Sequence, residues 1–199
     1  TLPSQAYVAD QLEPIDIQAV HQSCTWLRSH LANRLSNELT ETFELTRSTG
    51  PYVYNAENAG RRTLNNTLLS LIASVNTPET RQLCLAHFNA ADNMTNSIAA
   101  LGALSHMPSA ERDQALQVFE ARWTNDSLVM DKWFSVQAIS QADDTLTRVR
   151  ALMDHPLFDL KKPNKVRALI GAFAHGNPPQ FHQATGNGYR FLSDRVIAL

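Results

Sequence analysis

Four cations crowd one short stretch of this chain. In KKPNKVRALIGAF, residues 161–173, Lys161, Lys162, Lys165 and Arg167 gather at the start of a segment with helical apolar spacing. The N-terminal end of a helix already carries partial positive charge and favours Asp or Glu. Its free N–H groups, together with a cationic side chain, can also form an anion site. Two readings follow from the residues alone: an anion-binding helix start, or a solvated lysine-rich turn.

The other residue types that carry chemistry point away from catalysis. The chain has seven histidines, at 21, 30, 87, 106, 155, 175 and 182, and none belongs to an HExxH motif. His175 and His182 are separated by Gly176-Asn177-Pro178-Pro179, which breaks any shared helical face. GxSxG, Walker and GxGxxG motifs are absent. The GNG at 186–188 reads as a turn with its Asn and Gly at positive φ. Asp143-Asp144 reads as a helix cap, and the aromatics of Asp131-Lys132-Trp133-Phe134 as core. Cys24 and Cys84 lie in amphipathic text outside any CxxC pair and read as reduced core thiols. The expectation is therefore no catalytic residue and no metal ligand in this chain.

The elements that must position these residues are helical. Apolar positions recur at steps of three and four: Leu64, Leu68, Leu71, Ile72 and Val75; Met94, Ile98, Leu101 and Leu104; Leu116, Phe119 and Trp123. Val129, Trp133 and Val136 continue the series, as do Leu146, Val149, Leu152 and Met153, then Val166, Leu169, Ile170 and Phe173. PYVYN, 51–55, alternates but is too short and isolated to found a sheet. Capping signals at Thr77-Pro78, Asn93, Ser109, Asp126 and Asp143 place helix starts near 77, 94, 109, 127 and 143, and a further start falls near 163. This spacing predicts an all-α domain over residues 1–199, a right-handed superhelical stack of antiparallel helix pairs of HEAT or armadillo type. The stripe Phe191, Leu192, Val196, Leu199 ends on apolar text, and the chain opens without a methionine; both read as the interior of a longer protein.

Composition narrows the class. Apolar residues make up 43% of the 199, enough for a core without disulfides or metals. Lys plus Arg is 17 against 19 Asp plus Glu, which argues against a dedicated nucleic-acid binder. No apolar run approaches the ~18 residues that a membrane-spanning helix needs. A cytoplasmic setting fits the cysteine usage.

Several strings carry a family resemblance. ADNMTNSIAALGAL (91–104), SLVMDKWFSVQA (127–138), HPLFDLKKPNKVRALIGAF (155–173) and FHQATGNGYRFLSDRV (181–196) resemble, in order, pieces of the C-terminal helical domain of bacterial-type aminopeptidase N. That group lies in the M1 family of zinc metallopeptidases. The opening LPSQAYVADQLEPIDIQAV (2–20) resembles the start of the same domain. The resemblance implies a parent with a thermolysin-like domain. There HExxH and a downstream Glu hold zinc, and GxMEN grips the free amine of the substrate. None of these motifs is in this sequence. It further implies that this domain closes over the active site, with the other domains of the same polypeptide and peptide substrates as partners. In the family, the arginine of PN-[KR]-x-R faces the internal cavity and meets the carboxylate end of bound peptides. That position is Arg167, and Lys165 holds the variable basic position, a weaker candidate. The competing reading is a free-standing helical-repeat scaffold that binds a protein partner.

Overall fold

The structure, a computed structural model, describes residues 2–48 and 50–198. Most of those residues are helical, and none of them is in a strand. In chain order the elements are α1 (Gln5–Ala9), α2 (Ile17–Arg34), α3 (Ser36–Thr46), α4 (Ala56–Ala73), α5 (Pro78–Ala90), α6 (Met94–Ser105) and α7 (Ala110–Trp123). There follow α8 (Ser127–Ala138), α9 (Thr145–Leu152), α10 (Pro163–Val166), a π-helical turn (Arg167–Gly171), α11 (Ala172–Gly176), α12 (Pro178–Phe181) and α13 (Asn187–Ile197). PYVYN stays outside any strand, and its Asn55 caps α4 by accepting from the Asn58 N–H.

The predicted starts agree with the capping chemistry. Thr77 forms a reciprocal box with Thr80. Asn93 accepts from Asn96 N, Ser109 Oγ from Arg112 N, and Asp126 from Leu128 N and Val129 N. Each bond satisfies an N–H that has no partner inside its own helix. Asp144 also stands at a cap position, but its side chain makes no cap bond; it pairs instead with Arg148 at 3.6 Å. Asp143 lies one residue earlier, in the loop.

The helices gather into two compact units, one from Ser23 to Ala115, the other formed by residues up to Gln22 together with those from Leu116 onward. In the first, α5 and α6 reverse across residues 91–93 and pack along each other, and α4 packs on α3 and α6. Phe43, Leu69, Phe88, Leu101 and Leu104 are buried at its centre. Burying side chains of this size stabilises the fold by roughly 1.5–3 kcal/mol each. Asn65 is buried among them because its amide has work to do: Nδ2 donates to Phe43 O at 2.7 Å and Thr46 Oγ1 at 2.9 Å. Phe43 O belongs to the last turn of α3, where carbonyls lack helical partners. Cys84 is buried in α5, and burial pushes its thiol up to about 12. Cys24 is only half-buried, so the core-thiol expectation describes Cys84 better than Cys24.

In the second unit, α8 packs against α9, the π turn and α11. Trp133 and Phe134 are buried, and the Trp133 indole donates to Leu116 O at 3.0 Å, so these aromatics are core, as expected. Phe173 stacks edge-on with Phe181 and Phe191. The apolar stripes match the buried faces with two exceptions: Leu64 and Val196 are exposed. Leu199 lies outside the described residues.

The GNG turn is only partly as predicted. Gly186 takes φ +68, the left-handed conformation that suits glycine, but Asn187 already begins α13. Gly188 is required for a different reason: a Cβ there would collide with the backbone of Phe181. Gly188→Ala is therefore expected to lower stability by about 1–3 kcal/mol. Gly102→Ala, where a Cβ meets open space inside α6, should raise it by about 0.5–1 kcal/mol. Urea unfolding of the two variants checks the contrast in sign.

Candidate functional site

The cationic stretch is not uniform once its partners are seen. Lys161 and Lys162 precede α10 and are exposed. Asp159 accepts from the Lys161 backbone N–H at 2.9 Å and lies 3.9 Å from Lys162 Nζ. Lys165 points inward and is 4% exposed. Its ammonium reaches Asp131 Oδ1 at 2.6 Å and Ser127 O at 3.0 Å, both from α8, and sits 5.5 Å from the centre of the Phe134 ring. Lys165 therefore anchors α10 to α8, and its charge is used inside the domain.

Arg167 differs from its neighbours. It is exposed, and among the described residues no hydrogen bond or ion pair engages its guanidinium. It also begins the π turn, where the helix widens for five residues between α10 and α11. Such turns interrupt the regular ladder and recur at functional sites. Here the widening is supported from α8: Ser135 Oγ lies 2.9 Å from Ala168 O. One helix face thus supplies both the charge that fixes Lys165 and the hydroxyl that meets the π turn. The result is a planar five-donor fork presented to solvent from a braced backbone, suited to a carboxylate or phosphate.

The histidines do not converge. Among the described residues, no group of three His, Cys, Asp or Glu side chains could hold a metal ion. His182 meets the Tyr189 hydroxyl at 2.6 Å, while His175 is exposed on α11. His155 has an internal role that sequence reading missed. Its Nδ1 accepts from Leu157 N–H at 3.1 Å, which leaves Nε2–H to donate to Glu120 at 3.0 Å. Glu120 is 35 positions away, so no local pattern announces the pair.

Comparison with known proteins places this arrangement in a family. Residues 1–199 match the family described as a domain of unknown function (DUF3458_C) ARM repeats. The chain belongs to that ARM-repeat family. It is also similar to Aminopeptidase N of Haemophilus influenzae, 34% identical over 199 residues, covering 100% of this chain and 23% of that protein. Aminopeptidase N of Escherichia coli is 37% identical over 199 residues, with 100% and 23% covered. Aminopeptidase N of Caulobacter vibrioides is 37% identical over 196 residues, with 98% and 23% covered. Among solved structures, Legionella pneumophila aminopeptidase A in complex with aspartic acid matches with a TM-score of 0.88 at 30% identity. That match covers 100% of this chain and 24% of the Legionella chain. The ARM-repeat chain therefore spans about a quarter of the length of these relatives. No described helix is long and apolar enough to cross a membrane.

The Lys165–Asp131 contact generates a stability prediction. With the ammonium 4% exposed and the carboxylate side chain 17% exposed, removing one partner leaves a poorly solvated charge. Asp131→Asn is expected to cost about 3–5 kcal/mol, and Lys165→Met combined with Asp131→Leu should recover much of that loss. Denaturant titration of the singles and the double checks this. Additive losses would show that the two groups do not act as a pair.

Proposed function

We propose that this chain is a non-catalytic helical domain of an M1-type zinc aminopeptidase, which removes N-terminal residues from peptides, in a cytoplasmic setting. In this reading the domain is a right-handed superhelical stack that closes over the parent's active-site cavity. Arg167 meets the carboxylate end of peptides held there. The observation that carries the reading is similarity along the whole chain to aminopeptidases N about four times its length. The exposed, unengaged guanidinium at a braced π turn supports the assignment of Arg167. The Legionella relative was solved with an amino acid, aspartic acid, which accords with peptide chemistry in such parents. Zinc, as Lewis acid and activator of water, would be held by residues of another part of the polypeptide. The described residues here do not fit it.

What this chain's residues do is bind and orient. Arg167 offers a bidentate contact to a terminal carboxylate while α8 holds the backbone beneath it. Lys165, buried against Asp131, acts as an anchor rather than as a second contact. In the full-length polypeptide, Arg167→Ala is expected to weaken free-acid peptides by about 1.5 kcal/mol or less, the low end for a charged hydrogen bond, because the site is wet. Amide substrates without a carboxylate should change little, and the 199-residue chain alone should turn over neither. Steady-state kinetics on matched free-acid and amide substrates provide the check. Equal losses for both would make Arg167 structural, and chelator-sensitive turnover by the pure chain would remove the non-catalytic reading.

A further inference from the structure

A second group of cations lies in the unit from Ser23 to Ala115 and has no part in the reading above. The C-terminal end of α3, the first half of α4, the end of α5 and the start of α6 enclose a polar cavity of about 140 Å³. Arg47, Arg61 and Arg62 line it, with His87, Asn58 and Asn96 among the other polar residues. Asp92 is the single acid among the described lining residues. The lining is therefore cationic on balance, in a chain whose formal charge is −2.

Each guanidinium is steadied from outside the cavity. Arg47 Nη1 pairs with Glu44 at 2.9 Å, and Arg61 with Glu57 at 3.5 Å. Neither glutamate lines the cavity, and both are at least half exposed, so they compensate the arginines only weakly. Arg62 donates to Val53 O at 3.3 Å and stacks 4.7 Å from the centre of the Tyr52 ring. A guanidinium has five donors, so these contacts fix the forks without exhausting them. Preorganised forks bind at a lower entropic cost than free ones. The volume holds several waters, enough for a phosphate or carboxylate group and too small for a folded partner.

We propose that this cavity binds a small oxyanion, a phosphoryl or carboxylate group, held by Arg47, Arg61 and Arg62. His87 reports on it from the wall. The amide oxygen of Asn66 faces its Nε2 at 3.2 Å, while the Asn66 amide nitrogen donates to Asn96 Oδ1, so Nε2 carries the proton. Burial first, and then the charge of Arg47, hold the His87 pKa below its ordinary value. Arg61, Arg62 and Asp92 are the other charged groups on the cavity wall. A bound anion favours the imidazolium and moves the pKa back up.

The test is a titration of the 199-residue chain with inorganic phosphate, with acetate and with chloride at matched ionic strength, following the His87 ring by NMR. Saturable shifts with phosphate or acetate, a raised His87 pKa and no saturation with chloride are expected. The tighter of the two oxyanions identifies the source of the group. Arg47→Gln and Arg61→Gln, both at exposed positions, should each weaken binding by about tenfold or more, while Arg167→Gln should not. Arg62→Gln should do the same, with circular dichroism to separate lost binding from lost fold; if it unfolds, the other two variants decide. Linear responses equal for all three salts, or saturable binding untouched by the variants, would overturn the site.

Discussion

The ion pair between Lys165 and Asp131 is the constraint on which the cationic helix start depends. A buried ammonium is costly unless its charge and its protons are matched, and here a carboxylate, a backbone carbonyl and an aromatic face surround it. Hydrophobic packing alone would let α10 slide along α8, because apolar contact is not directional. A short charged contact fixes the register. Four residues beyond Asp131, the same face of α8 offers Ser135 to the π turn, so the two contacts together set the direction in which Arg167 leaves the helix. The unfavourable dipole interaction at the helix start is correspondingly smaller than four bare cations would imply, since Asp159 and Asp131 face two of them, Lys162 and Lys165.

The fold was legible in the sequence to the extent that it rests on local rules. Thr77, Asn93, Ser109 and Asp126 cap helices because small polar side chains at those positions complete N–H groups that every helix leaves open. The three-and-four spacing marks faces that are indeed buried around Leu68, Leu101, Phe119 and Phe173. Where non-local contact decides, the sequence was silent. The π turn could not be read from RALIG, a run with ordinary helical spacing, because the features that favour it reside on α8. Asn187 between two glycines reads as turn chemistry, yet Gly188 is there to admit the Phe181 backbone and α13 begins at Asn187.

The candidate site shows the same division. The cationic stretch was visible as a cluster, but composition cannot distinguish a lysine that points inward from an arginine that points out. Burial makes that distinction: Lys165 has an internal counter-ion, while Arg167 is exposed. The arginines of the cavity in the Ser23–Ala115 unit form no local pattern, because Arg47 follows α3, Arg61 and Arg62 lie in α4, and His87 comes from α5. Both clusters follow one rule: a cation that has no acid partner among the described residues, or only a solvent-exposed one, keeps donors available to a ligand.

A crystal structure of the full-length polypeptide with a free-acid peptide bound tests the central claim most directly. The peptide's terminal carboxylate is expected within about 2.7–3.2 Å of the Arg167 guanidinium, with the Lys165–Asp131 contact intact beneath it. A carboxylate held by other residues, with Arg167 turned to bulk solvent or against another domain, would contradict it.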